Sequence, residues 1–353
     1  MIGISAVDLF CGAGGLTHGF EKAGLPVNVG YDIDPICKFP YQKNNKAKFI
    51  EKSVENIKGI ELAKHFPEGH LKVIAGCAPC QPFSNYSRRY DLHDGETEFY
   101  RSSKWKLLDD FARLVKGCMP DIVTMENVPQ LQKHQVFEKF ITKLEELKYF
   151  VTYYEVKCQD YGIPQARRRL VFFASKFGNI DLIPPTYDRH NYKTVRDTIE
   201  HLEPLKAGQS SKTDPLHQCS KLSALNLRRI RASKPGGTWR DWPEDLIAKC
   251  HTKKSGKSYP SVYGRMEWDS PSPTITTQCF GFGNGRFGHP KQDRAISLRE
   301  AALLQTFPKK YQFFPPNESF ASIKIGRLIG NAVPVKLGEV VAKSILNHIQ
   351  EIN

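Results

Sequence analysis

The strongest constraint on the fold lies at the N-terminus. There an apolar, β-prone run, Ile2–Phe10, gives way to Cys11-Gly12-Ala13-Gly14-Gly15 and then to a helical pattern of Leu16, Phe20 and Ala23. Strand, glycine turn and helix in that order open an α/β layer, because glycines let the backbone pass close to a ligand and let the helix start pack on the strand. The spacing is not G-x-G-x-x-G and no Lys-Ser/Thr follows, so a phosphate-cradling P-loop is not supported. Val27–Asp32 reads as a second strand ending in an acid, which can accept both hydroxyls of a ribose. Asp32 is otherwise a surface-turn residue, with Asp34-Pro35 continuing the turn. Together the two features favour an adenosine-containing ligand without separating a dinucleotide from a single adenosine.

Further along, Leu71–Ala75 reads as the end of a buried strand and runs into A-G-C-A-P-C-Q-P-F-S-N, Ala75–Asn85. Cys80, held between Pro79 and Pro82 at a strand's C-terminal edge, stands where an α/β protein places a nucleophile. Cys77-x-x-Cys80 is also the spacing of a redox pair, or of two ordinary half-buried cysteines. Asn85–Ser103 is polar and aperiodic, which suits a mobile lid or a plain insert. A helix, Trp105–Gly117, precedes the strand Pro120–Met125, which runs straight into Glu126-Asn127-Val128-Pro129. A carboxylate and an amide therefore fall at the same edge as Cys80. After the helix Val136–Leu147 and the strand Phe150–Val156 comes Gln165-Ala166-Arg167-Arg168-Arg169, before the strand Leu170–Ala174. Strand alternation sends Arg167 and Arg169 to one face and Arg168 to the other. Two arginines aimed together suit an anionic or carbonyl-rich ligand; a solvated charge run is the alternative.

Composition narrows the partner. The 353 residues, 40% hydrophobic and 25% charged, are ordinary for a soluble globular protein and allow two domains. No run of 18 apolar residues and no basic-then-apolar leader occurs, so neither a membrane span nor a signal peptide is expected. Nine scattered cysteines suit reduced thiols rather than a disulfide framework, and no metal site is expected. The net charge of +14 points to a polyanion, most simply nucleic acid. From His201 to Ala295 there are 16 Lys+Arg against 8 Asp+Glu, so +8 of the excess sits in that stretch. From about Pro184 the sequence turns to Pro, Gly, Ser, Lys and Trp, reading as an irregular domain of short strands and loops. Within it Arg228, Arg229, Arg231, Arg240, Lys253, Lys254, Lys257 and Arg265 interleave with Trp239, Trp242, Tyr259 and Tyr263, a mixture suited to phosphate and base contacts. Ser297–Phe307 is a helix with a Ser297/Glu300 capping box, and Val335–Ile349 is a closing amphipathic helix.

The ordered set D-L-F-C-G-A-G-G (8–15), G-C-A-P-C-Q-P-F-S (76–84), M-E-N-V (125–128), Q-A-R-R-R (165–169), R-E-A-A-L-L-Q-T-F-P (299–308) and G-N-A-V-P (330–334) resembles the cytosine-C5 DNA methyltransferases over essentially the whole chain. The resemblance implies an α/β fold: a Rossmann-like S-adenosylmethionine-dependent methyltransferase sheet with helices on both faces, plus a smaller irregular β-rich target recognition domain. It implies a catalytic and cofactor-binding domain over 1–200, completed by 323–353, with target recognition domain and hinge over 201–322. The implied reaction moves a methyl group from S-adenosylmethionine to carbon 5 of a cytosine flipped out of a specific duplex DNA sequence. Carbon 5 is a poor nucleophile until a thiolate, here Cys80, adds at carbon 6 and turns the ring into an enamine. Glu126 would share a proton with ring nitrogen 3, Arg169 would hold the base, and Arg167 would accompany it.

On the cofactor side the resemblance implies Phe10, Gly12, Gly14, Gly15, Asp32, Ile33, Pro79, Leu107 and Asn331. On the DNA side it adds Ser84 to Arg228, Arg229, Arg231, Arg240 and Arg265, with Asn85–Ser103 as a closing lid. The chain departs from the family where Asp32 replaces a frequent glutamate, and where Ser53-Val54-Glu55 stands in place of an adenine-contacting acid. Double-stranded DNA, a cognate restriction endonuclease, a monomer and a cytoplasmic, nucleoid-associated location complete the expectation. The rivals are an RNA (tRNA) cytosine-C5 methyltransferase, an inactive DNA-binding relative, and a Rossmann oxidoreductase with a C-x-x-C pair. The last leaves Glu126 and the basic region without a role.

Overall fold

The computed structural model describes residues 3–78, 96–253 and 256–352, with the backbone alone for 96–105. Pro79, Cys80, Ser84, Lys254 and the first part of the expected lid lie outside the described residues. In chain order the elements are β1 (Ile4–Leu9), α1 (Gly15–Ala23), β2 (Val27–Asp32), α2 (Lys38–Asn44), β3 (Lys48–Glu51), α3 (Gly59–Ala63), β4 (Leu71–Gly76), α4 (Glu96–Cys118), β5 (Ile122–Asn127), α5 (Gln135–Glu146) and β6 (Phe150–Lys157). There follow β7 (Gln165–Ala166), β8 (Arg168–Ser175), α6 (Val195–Ile199), α7 (Ala224–Ala232), α8 (Lys249–Thr252), β9 (Ser272–Pro273), α9 (Leu298–Leu304), α10 (Ser322–Asn331) and α11 (Val335–Ile352). They divide into two compact units: one of 1–157, 168–185 and 333–353, the other of 158–167 and 186–332.

The first unit is built on a seven-stranded sheet of order β3-β2-β1-β4-β5-β8-β6. β1 to β5 run parallel, and β8 enters antiparallel between β5 and β6. The central strands read as unbroken apolar runs because helices cover both faces. On one face Val7 and Leu9 of β1 join a core with Leu108, Phe111, Phe140 and Leu144 of α4 and α5. On the other face Asp8 meets Thr17 of α1. Helices α1 and α11 approach so closely at Gly19 that a Cβ there would collide with the Val335 carbonyl and Gly338. The strand order reverses at β1, with β2 on one side and β4 on the other. Ligands in open α/β sheets bind at such a reversal, beyond the strands' C-terminal ends.

Two differences from expectation have local causes. Edge strand β3 is only four residues long and half exposed, so its apolar signal is too short to stand out. Helix α4 begins at Glu96 rather than Trp105, because its first turns, E-T-E-F-Y-R-S-S-K, are polar and carry no apolar period.

The second unit is irregular. Among the described residues its strands are the parallel two-residue pair β7–β9 and four isolated bridges, so strand content is sparse where a β-rich domain was expected. Small apolar clusters, one around Ile230, Phe282 and Ala295 and another around Trp239, Trp242 and Leu246, serve as its cores. Helix α10 lies against 276–280 through Gly326 and Gly330, where any Cβ would strike backbone. The expected Ser297/Glu300 capping box opens α9.

Candidate active site

The C-terminal edge of the sheet gathers the polar groups of the first unit. β5 is buried along its length and ends in Glu126 and Asn127. Register places Leu9 opposite Gly76 and Gly76 opposite Met125, so the ends of β1, β4 and β5 line up. Cys77 is the first residue past β4, and its backbone N–H donates to the Leu9 carbonyl at 3.2 Å. The Asn127 side chain accepts from Val128 N at 2.9 Å and donates to the Ala78 carbonyl at 3.2 Å, tying the segment that leads to Cys80 back onto β5.

Glu126 is the centre of this edge. Arg169, from β8, brings Nε to 2.7 Å from Glu126 Oε1, with both side chains largely buried. The N–H is not aligned on the oxygen, and among the described residues Oε1 has no hydrogen-bond partner. The other oxygen, Oε2, accepts from the Cys77 thiol at 3.5 Å. Burial and the neighbouring Glu126 carboxylate push the Cys77 thiol well above its ordinary range, so this sulfur stays protonated. Cys77 is therefore a hydrogen-bond donor and not simply packing, a role its spacing to Cys80 does not reveal.

At the other side of the sheet reversal, the glycine turn folds over the end of β2. Phe10 and Gly12 adopt left-handed backbone, with φ of +61° and +53°, and Gly14 caps α1 with φ of +88°. A Cβ on Gly12 would meet no described atom within 4 Å, while its left-handed backbone itself favours glycine. Asp32 is held by two backbone donors, Gly12 N to Oδ2 and Asp34 N to Oδ1, each at 2.9 Å. Burial raises its carboxyl, and these N–H groups partly offset that. Gly15 starts α1, Phe10 and Leu107 pack half-buried against the core, and Ile33 stands 69% exposed beside Asp32. Ser53 caps the short turn at Val54–Asn56, and Arg113 of α4 binds the carbonyls of Val54 and Ile57 behind it.

Beneath the turn lies a group that the sequence motif carries without revealing its role. Asp8 is buried, accepts from Thr17 Oγ1 at 2.7 Å through Oδ2, and leaves Oδ1 without a hydrogen-bond partner among the described residues. Thr17 also bonds Tyr41 Oη at 2.9 Å. Desolvation pushes the Asp8 carboxyl up to about 7, with Thr17 pulling the other way.

The remaining expected residues lie in the second unit. Arg167 precedes β8 rather than joining its alternation, and its guanidinium donates to Gln165 Oε1, Ile275 O and Ala332 O at 3.4–3.5 Å. The expected pairing of Arg167 with Arg169 on one strand face is corrected, because β8 begins only at Arg168, which pairs with Glu155 on the surface. Asn331 is exposed at the end of α10.

Of the arginines expected on DNA, two are turned inward. Arg265 is buried and donates to the carbonyls of Ile230, Ser233, His289 and Gln292 and to the Asp293 carboxylate. Arg229 is buried against Trp242 and Tyr263 and donates to the Leu246 carbonyl at 2.9 Å. Both are corrected to structural roles. Trp239 and Trp242 are likewise core residues, their indole N–H groups spent on Tyr259 O and Ser233 Oγ. Arg228, Arg231 and Arg240 remain exposed. Arg228 and Arg231 pair with Asp245 and Asp293, whereas Arg240 lies over the Trp239 ring and has no acidic partner among the described residues.

A sheet of this order, with a paired acid and arginine at its C-terminal edge, agrees with the family whose profile, C-5 cytosine-specific DNA methylase, matches residues 4–347. The chain belongs to that family and is a DNA (cytosine-5)-methyltransferase. It is 53% identical over 357 residues to the type II methylase M.HgiDII of Herpetosiphon aurantiacus, spanning 100% of this chain and 98% of the relative. It is 31% identical to the type II methyltransferase M.Eco47II of Escherichia coli, across 99% of this chain and 80% of that protein. Among solved structures, a DNA modification methyltransferase encoded within an E. coli prophage superposes with a TM-score of 0.73 at 21% identity, covering 98% of this chain and 99% of its own. The Dnmt2 methyltransferase of S. pombe superposes at 0.61 with 15% identity, covering 99% of each chain. These last two likenesses concern the fold. No helix among the described residues is long and apolar enough to cross a membrane, and no cluster of metal-ligating side chains occurs among them.

Proposed function

We propose that this enzyme takes its methyl group from S-adenosylmethionine and delivers it to a cytosine flipped out of a specific duplex DNA sequence, through a covalent bond between Cys80 and carbon 6. The observation that carries this reading is the Glu126–Arg169 pair, 2.7 Å apart, with Glu126 Oε1 lacking a hydrogen-bond partner among the described residues. A buried carboxyl oxygen with unused capacity, beside a fixed cation, suits a base that gains charge on its ring nitrogen as a thiolate adds.

The first unit's turn fits the cofactor. Asp32 has both oxygens oriented by backbone N–H groups, and no described atom lies within 4 Å of where a Gly12 Cβ would stand. Phe10, Gly12, Gly14, Gly15, Ile33, Leu107 and, by family pattern, Pro79 and Asn331 would hold it. When bound, S-adenosylmethionine supplies a methyl group activated on a sulfonium. In the chain's own part of the reaction, Cys80 as thiolate bonds carbon 6, and Glu126 places a proton at nitrogen 3. Arg169 keeps the carboxyl and the base carbonyl in register. Loss of the carbon 5 proton to a base, water being sufficient, then expels the thiolate. Asn127 positions the approach to Cys80 through Ala78.

The second unit would read the DNA through exposed Arg228, Arg231 and Arg240, with Ser84 and the residues ahead of α4 as the lid that closes on the flipped base. Type II relatives support a cognate restriction endonuclease as a partner in the same system. The working assembly is a monomer in the cytoplasm, close to the nucleoid.

Purified enzyme with methyl-labelled S-adenosylmethionine tests this directly. The expected result is 5-methylcytosine in mixed-sequence DNA at one short motif, and none in total tRNA. Label in tRNA alone would move the reading to the RNA-directed class, and absence of label in any DNA would end it.

A further inference from the structure

Glu126 presents two oxygens, and the described partners divide them cleanly. Oε1 faces the Arg169 cation without an aligned hydrogen bond, while Oε2 is met by the Cys77 thiol. Nothing else in the described part of the first unit fixes the rotation of the carboxylate about its last bond. Arg169 supplies charge, but its guanidinium is also engaged with its neighbour's carbonyl, through Nη1 to Arg168 O at 2.7 Å. The sulfur is itself anchored: Cys77 is the residue at which the β4 exit leaves the sheet, and its N–H is bonded to Leu9 O.

We infer that Cys77 is a positioning residue for the reaction, its S–H holding Glu126 Oε2 so that Oε1 is turned to the substrate base. This rests on the proposed role of Glu126. A thiol is a weak donor, and that weakness is useful here. It orients the carboxylate without competing for it as strongly as a second cation would. Burial keeps the sulfur protonated and hence a donor throughout the working range. The C-x-x-C spacing then has a division of labour that is not redox. Cys77 stays a thiol and orients the acid; Cys80 is the thiolate that attacks.

The test is a set of four variants in the full-length enzyme: Cys77→Ala, Cys77→Ser, Glu126→Gln and the double Cys77→Ala/Glu126→Gln, each checked for an unchanged thermal midpoint. Cys77→Ala is expected to lower kcat about twofold to fivefold, the lower end of what one hydrogen bond is worth. KM for DNA and for S-adenosylmethionine should stay within about twofold, because ground-state binding is untouched. Cys77→Ser, which restores a donor, should recover most of kcat. In the Glu126→Gln background, Cys77→Ala should cost nothing further, since the two residues act as a unit. Full kcat in Cys77→Ala, equal losses in Ala and Ser, or an undiminished loss on top of Glu126→Gln would each overturn the inference. Failure of the wild-type enzyme to make 5-methylcytosine would instead defeat the proposed function, so the two outcomes are separable.

Discussion

The two units of this protein use charge in opposite ways. In the sheet unit, regular strands satisfy one another's backbone, so charged side chains collect at the strand ends with capacity to spare. Glu126 Oε1 and Asp8 Oδ1 are both buried and, among the described residues, without a hydrogen-bond partner. In the irregular unit few ladders exist to absorb backbone carbonyls, and arginines do that work instead. Arg265 takes four carbonyls, and Arg294, fully buried, binds Leu205 O and Ala295 O while clamping Glu300 with two bonds of 2.7 Å. A guanidinium with five donors in a rigid fork is well made for that purpose. An arginine in a loop-built domain thus takes over the work of a neighbouring strand.

The largest effect expected from this contrast is in the irregular unit. Arg265→Met should strand the four carbonyls and the Asp293 pair, costing roughly 3–5 kcal/mol in urea unfolding followed by the fluorescence of buried Trp239 and Trp242. A loss under about 1 kcal/mol would show that the arginine is incidental to the fold.

Asp8 sharpens the other side. Its folded carboxyl sits near 7 against an ordinary 3.8, so the folded state binds the extra proton between those values. Stability should therefore fall as pH rises from about 4 to about 7 and level off above, by an amount of order a few kcal/mol. In Asp8→Asn that decline should disappear. A parallel pH curve for both proteins would assign it to other groups.

Smaller again is Gly12→Ala, where the obstacle among the described residues is a left-handed φ of +53°. A cost of roughly 1–2 kcal/mol is expected, with weaker binding of S-adenosylmethionine in calorimetry. The smallest change in stability belongs to exposed Arg240. Arg240→Ala should leave unfolding within about 0.5 kcal/mol of wild type yet reduce the salt slope of DNA binding by about 1. The same substitution at Arg228 should do less to affinity, because Asp245 already holds that charge at the surface.

The sheet unit was legible because its central strands are continuous apolar runs punctuated by a polar residue at the end, and that punctuation is the site. Glu126, Asp32 and the glycine turn could be placed on the strand edge from pattern alone. The irregular unit was legible only in its boundaries and charge. Whether Arg229 or Arg240 points outward depends on contacts with Trp242, Tyr263 and Leu246 in one case and with Trp239 and Lys257 in the other. No local period encodes such contacts. Arg167 shows the same limit at finer scale: one residue decides whether it belongs to β8 or to the network of Gln165 and Ile275. Cys77 was hidden by its spacing, which draws attention to Cys80 as a partner when its neighbour is a carboxylate on another strand.

The central claim is that the strand-end unit attacks cytosine with Cys80 while Glu126 manages the proton. DNA carrying 5-fluorocytosine in place of cytosine tests it most directly, because a fluorine at carbon 5 cannot leave as a proton and the covalent bond to the enzyme should persist. Incubated with S-adenosylmethionine, digested and mapped by mass spectrometry, the enzyme is predicted to carry the nucleotide on Cys80, and Cys80→Ser to carry none. An adduct on Cys77, or methylated DNA without any adduct, would contradict the account.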